Sequence, residues 1–298
     1  MIPLSPVIDT SSAQCFAVVA IFTLHNNNTM AALSTNSRLS YRQVDFQASG
    51  GIINDDSHET CLHNTQLLTR LLNEQSLQTI VIGSNDADST VADAAFHFFP
   101  GVNAIHMNHV QVQVNGVIKF HRSYKDPQPR HNTTMDQAGR PSPCISFFGG
   151  QNITLCSNKN YKEPSSQQEQ RRGILHGGGS EWWGIPYVGY AQVLEHRPYL
   201  LLFNHTTDLH IHNVVLQDAP FYHVQITDAR RVHMHDLSIV SRRTGEYTHG
   251  TWDLSAFNTD GIDIAGQDVW VHDVDIWTQG ERTRGYFVYI IPTRLFLC

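Results

Sequence analysis

Two sets of residues in this chain of 298 have types and spacings suited to chemistry. The first is Asn258-Thr259-Asp260-Gly261, one carboxyl among turn-forming residues. Such carboxyls serve as general acid or base when their surroundings tune the pKa. The same tetrapeptide also reads as a polar corner, because Asn, Asp and Gly supply the backbone freedom of turns. The second set is histidine. His210-x-His212 and His233-x-His235 put two imidazoles on one strand face, and His223 or His272 would complete a metal hydrolase site. The preferred reading is a solvated ladder of rings, so no metal and no cofactor is expected. Trp182-Trp183 suits either a sugar-stacking platform or core packing. Arg242-Arg243 suits either a uronate carboxylate or an exposed loop.

These side chains need a scaffold, and the composition limits which. Apolar residues make up 41%, ample for a core, and charged residues only 16% against about 25% in ordinary domains. The formal charge of −7 has the wrong sign for a nucleic-acid binder, although protonating the 18 histidines would reverse it. The longest apolar run, Cys15 to Leu24, is ten residues, short of the roughly 20 that span a bilayer, so no membrane partner is expected. Residues 1–40 read as a leader or signal segment of an extracellular chain. Glycosylation sequons begin at Asn27, Asn132, Asn152 and Asn204. Of five cysteines, Cys144 and Cys156 form the expected local bridge.

Asp56-Ser57-His58-Glu59 resembles a capping box, and Leu62, Leu68, Leu71 and Leu72 follow near helical spacing, predicting a helix over 57–75. Thr79–Ile82, Phe96–Phe99 and the alternation of Val110, Val112 and Val114 predict strands, broken at Gly83, Pro100-Gly101 and Asn115-Gly116. Three later segments then repeat, beginning at Leu209, Val232 and Val269, each apolar at its positions 1, 3, 6 and 8. A straight strand keeps one parity, so the slip demands a bend at His212-Asn213, His235-Asp236 and His272-Asp273. The first two segments start 23 residues apart, one solenoid turn, and the next gap of 37 places an insertion at Ser241 to Phe257. Strand-bend-strand units at this period predict a parallel β-helix.

The run from Gly173 through His176-Gly177-Gly178-Gly179 to Trp182-Trp183, then Arg197-Pro198, the repeats and Asn258-Thr259-Asp260-Gly261, resembles glycoside hydrolase family 28, the polygalacturonases and related pectin hydrolases. The likeness covers about Tyr41 to Gln279. It implies an all-β, right-handed parallel β-helix with a short N-terminal capping helix, and inverting hydrolysis of α-1,4-linked galacturonic acid in pectic polysaccharide by a monomer. Inverting hydrolysis needs one protonated carboxyl and one ionised carboxylate on opposite faces of the sugar. By resemblance Asp260 belongs to the water-activating set and Asn258 shapes the cleft.

The chain departs from the family after Gln279. Where relatives carry two aspartates it has Gly280-Glu281, so the first, the proton donor, is absent and Glu281 takes the second place. The Gly-His-Gly and Arg-x-Lys motifs are missing too. A noncatalytic β-helix that only binds pectic oligosaccharide is therefore the alternative, with a His-rich metal hydrolase as the third. The resulting organisation is a leader over 1–40, a β-helix domain over 41–279 and an aberrant tail over 280–298. The tail reads as an unspliced intron or shifted frame, which would leave the last coil with unpaired backbone groups and poor solubility.

Overall fold

The computed structural model describes residues 41–74, 78–84, 95–123, 141–158, 173–183, 197–241, 256 and 258–278, and the backbone of 281–288 and 295–297. Internal contacts divide the chain into Met1–Arg38 and Leu39–Cys298, and the described residues lie in the second unit. In chain order the elements are β1 (Arg42–Asp45), α1 (His58–Glu74), β2 (Gln78–Ile82), β3 (Ala95–Phe98), β4 (Val102–Val114), β5 (Val117–Phe120) and β6 (Ile145–Cys156). There follow β7 (Gly173–His176), β8 (Leu201–Asn204), β9 (Thr207–His212), β10 (Val214–Gln217), β11 (Val224–Val240), β12 (Ile262–Thr278), β13 (Glu281–Val288) and β14 (Leu295–Leu297).

Parallel pairing stacks these strands into a right-handed β-helix with three faces. Face 1 runs up from β4 through Ile145–Phe148 and β8 to the first arms of β11 and β12. Face 2 runs from β1 and β2 through the second arms of β4 and β6, then β9, to Arg230–His235 and Gln267–His272. Face 3 stacks β3, β5, β7, β10 and the last arms of β11 and β12.

The expected bends are present. Asn213, Asp236 and Asp273 adopt φ of 57°, 52° and 52°, the left-handed backbone that turns the chain from face 2 to face 3. The apolar positions on either side, from Leu209 to Ile276, are all buried. A second corner, not visible as a repeat, carries two left-handed residues in each of four coils, His106 and His109, Gly149 and Asn152, His205 and Asp208, Asp228 and Arg231, and one, Asp268, in the coil of β12. Along the axis Arg231 grips Asp208 of the coil below, donating from Nε and Nη2 at 2.5 and 2.9 Å. Inside, Phe147 and Phe203 stack ring on ring at 4.6 Å.

Several expectations are corrected. The helix is capped one residue later: Ser57 Oγ accepts from the Thr60 N–H at 3.3 Å, and Asp55 accepts from Ser57 N–H, Ser57 Oγ and Thr60 Oγ1. Leu62 is exposed and Leu67 takes its place on the buried face with Leu68, Leu71 and Leu72. Cys144 and Cys156 are both free thiols, because β6 folds through a corner and sets them at opposite ends of its two arms. The outer edge of β12 is not left open. β13 pairs antiparallel with Trp270–Thr278 and β14 with Ile262–Ile264, a reversal of strand sense that ends the parallel stack. Gly280, the 241–257 insertion beyond Ser241, apart from Ala256, and the sequons at Asn27 and Asn132 lie outside the described residues. Among the described residues no helix is long and apolar enough to cross a membrane.

Candidate active site

Asp260 stands at the mouth of face 1, at the entrance to β12. Asn258 takes a left-handed φ of 55°, and the buried Thr259 hydroxyl donates to the Ala256 carbonyl at 2.9 Å, closing the turn that presents Asp260. The coil below holds this turn from behind. The His223 N–H donates to the Asp260 carbonyl at 2.9 Å, and His223 Nδ1 approaches the same oxygen at 3.1 Å. That oxygen can only accept, so Nδ1 carries the proton and Nε2 is left to accept from Ser241 Oγ at 3.1 Å. Burial pushes the His223 imidazole down to about 4 against hydrogen bonds to backbone carbonyls that favour protonation. His223 is thus a neutral strut, which corrects its reading as a metal ligand.

Register aligns Tyr199, Tyr222 and Asp260 in one row along the solenoid axis, one residue per coil, since the N–H of Cys144 reaches Tyr199, that of Leu200 reaches Tyr222 and that of His223 reaches Asp260. The two half-buried tyrosine rings lie 5.8 Å apart. Beneath them Phe221 stacks on Tyr222 at 4.2 Å, and the fully buried Arg197 sits 5.2 Å over Phe221 while donating to the Pro220 carbonyl at 3.0 Å. The row is therefore a rigid aromatic strip ending in a carboxyl. Sequence reasoning missed it, because Tyr199 and Tyr222 stand outside the repeats and only coil stacking brings them together.

The tryptophans do not supply that surface. Trp183 is buried, its indole N–H donating to the Ala219 carbonyl at 3.2 Å, and Trp182 is buried under the Arg122 guanidinium. The glycines before them serve this packing: a Cβ on Gly179 would lie 2.3 Å from the Trp183 ring, and Gly178 has φ of 66° with a Cβ position 2.1 Å from the Phe120 carbonyl. Nearby, burial raises the Glu181 carboxyl, but hydrogen bonds from His121 and the Arg122 N–H outweigh it and leave the group below its ordinary value. Glu181 is a clamp on this turn rather than a free acid.

Glu281 enters β13 opposite Thr278, which stands one coil above Ser241, the partner of His223. Its backbone thus lies one strand beyond the coil of Thr278. Arg242-Arg243 lies outside the described residues.

Residues 129–281 match the profile of Glycosyl hydrolases family 28. The chain belongs to that family. Among curated proteins, it is 30% identical over 98 residues to a probable rhamnogalacturonase A of Aspergillus oryzae and 29% identical over 99 residues to a putative rhamnogalacturonase D of Aspergillus niger. Each match covers 33% of this chain, but only 18% and 19% of those relatives' own length. Among solved structures, the family 28 chain resembles endo-xylogalacturonan hydrolase from Aspergillus tubingensis, with a TM-score of 0.52 at 18% identity over 77% of this chain and 50% of that one. An exopolygalacturonase from Thermotoga maritima gives 0.51 at 15% identity over 80% and 53%. At these identities the likeness establishes the β-helix. The family segment includes Tyr199, Tyr222, His223, Asn258 and Asp260, so the row and its support lie within it.

Proposed function

We propose that this chain is a pectic-polysaccharide hydrolase of the inverting type, with Asp260 as the water-activating carboxylate, Asn258 shaping the cleft and Glu281 in the second carboxylate place. The observation that carries this reading is the strip of Tyr199 and Tyr222 leading to Asp260. Aromatic faces receive the apolar faces of pyranose rings, and a linear polymer laid along the solenoid axis meets one such position per coil. Inversion requires carboxyls about 6.5–9.5 Å apart with water between them. Coils rise about 4.8 Å, so the partner of Asp260 belongs one or two coils further along, the direction in which the chain continues through Thr278 to Glu281. Gly280 offers no proton, which makes slow turnover the expectation.

The linkage proposed is the α-1,4-galacturonosyl bond. A second reading, rhamnogalacturonan as the polymer, is favoured by the names of the curated relatives. Reducing-end release from polygalacturonate and from rhamnogalacturonan at about pH 5, where uronates are ionised, separates the two. Asp260→Asn should abolish the release, by 10²-fold or more. Pectic oligosaccharide bound without cleavage in wild type would instead select the noncatalytic alternative. We also propose an extracellular setting, supported by the polymer class and by the sequons, of which Asn152 and Asn204 lie at coil corners.

A further inference from the structure

Face 2 carries five imidazoles in two outward columns. His210, His233 and Trp270 form one, and His212, His235 and His272 the other, each residue one coil above the last. Rings within a column stack nearly parallel: His210 on His233 at 4.8 Å, His212 on His235 and His235 on His272 at 5.1 Å, with Trp270 closing the first column at 4.3 Å. Across the columns the rings meet nitrogen to nitrogen. His210 Nε2 lies 2.8 Å from His235 Nε2, and His233 Nε2 lies 2.9 Å from His272 Nε2.

The bend residues set the protonation of one side of each pair. His235 Nδ1 meets Asp236 Oδ2 at 2.6 Å, and His272 Nδ1 meets Asp273 Oδ2 at 2.7 Å. A carboxylate accepts, so Nδ1 carries the proton in both rings and each Nε2 presents a lone pair to the facing ring. A carboxylate behind an imidazole whose far nitrogen carries a lone pair is the arrangement that orients histidine toward a metal ion. Donor nitrogens of His210, His233 and His235 all lie within 4.8 Å of one another, and among the described residues this is the one such group of three. Tetrahedral Zn²⁺ with bonds of about 2.0–2.1 Å holds its nitrogens roughly 3.3 Å apart, so small ring rotations bring the three onto one ion and leave its fourth position open.

We propose that His210, His233 and His235 bind one Zn²⁺ ion that staples β9 to β11, two successive coils of the solenoid. The site lies on face 2 and is independent of Asp260 at the mouth of face 1. In a solenoid each coil is held by its neighbours alone, so an ion shared between coils stabilises their interface.

Titration calorimetry of the chelator-treated full chain with Zn²⁺ at pH 7 tests this, alongside thermal melts with and without the metal. Expected are one equivalent bound with a Kd on the order of micromolar and a melting temperature raised by several degrees. His210→Gln and His235→Gln should weaken binding at least tenfold, Asp236→Asn should weaken it about 10-fold or more, and His212→Gln should stay within about threefold. Asp260→Asn should bind as wild type, so a failed hydrolase assignment leaves this result readable. The Asp236→Asn variant keeps every ligand, which guards against a histidine variant that does not fold. Absence of saturable binding by the folded wild-type chain, or equal binding by His235→Gln, would overturn the proposal.

Discussion

The His223 strut holds Asp260 through the backbone carbonyl, so the contact that supports the turn is separate from the carboxyl that would do the chemistry. Asp260→Asn keeps the carbonyl that accepts from His223, so the variant should lose activity yet still unfold in a single cooperative urea transition. His223→Ala removes the strut instead. It removes the imidazole partner of the Ser241 hydroxyl, leaves the Asp260 carbonyl with the residue 223 N–H alone, and opens a cavity, so urea unfolding should show a loss of about 2–4 kcal/mol. Tyr222→Ala should weaken binding of pectic oligosaccharide about tenfold by titration calorimetry while the fold persists, because its ring is half-buried and the Phe221 and Arg197 support remains. Equal effects of Tyr222→Ala and a Trp182 substitution on binding would contradict the assignment of the strip.

Elements are made by the left-handed bends. Asp236 has φ of 52°, a conformation that costs a β-branched residue about 1–2 kcal/mol or more and costs glycine almost nothing. Asp236→Val should therefore lower the unfolding free energy by about that amount, and Asp236→Gly by less, its remaining cost being the lost bond to His235. The bend residues were legible in the sequence because each interrupts the apolar alternation at a fixed place. The second corner was not: its residues are His, Asn, Asp, Gly and Arg in different coils, and their equivalence exists only in the register between coils. The same limit hid the cysteines. Twelve residues apart in sequence suggested a bridge, yet two extended arms and a corner keep them separate.

For the whole molecule, the buried His223 and the half-buried His176 give stability its pH dependence. His223 and His176 are each pushed by burial down to about 4 from an ordinary 6.5. Between those values the unfolded chain binds protons that the folded chain does not, so stability is full above pH 6.5 and falls toward pH 4. Each group removes up to about 3 kcal/mol by pH 4, and the lowered Glu181 carboxyl acts in the same direction below its ordinary range. Calorimetric melts should show a level melting temperature from pH 8 to 7 and a steep fall between pH 6 and 4; a level profile throughout would contradict the buried neutral state. At the end of the stack, β13 and β14 cover the edge of β12, so a chain cut before Glu281 should self-associate on gel filtration where the full chain does not.

The repeating coil, its inward residues, one of its bends and the family are all written in the chain's order, because alternation, slip and the Asn-Thr-Asp-Gly turn are local in it. It also placed the histidine pairs on one face, since residues two apart on a strand share a side. The tertiary structure alone decided which tyrosines line up with Asp260, that His223 stands behind it, that the tryptophans are core, and that imidazoles of successive coils meet nitrogen to nitrogen. Those relations run along the solenoid axis, across coils separated by loops of unequal length, and the parallel register that aligns them leaves no fixed spacing in the chain.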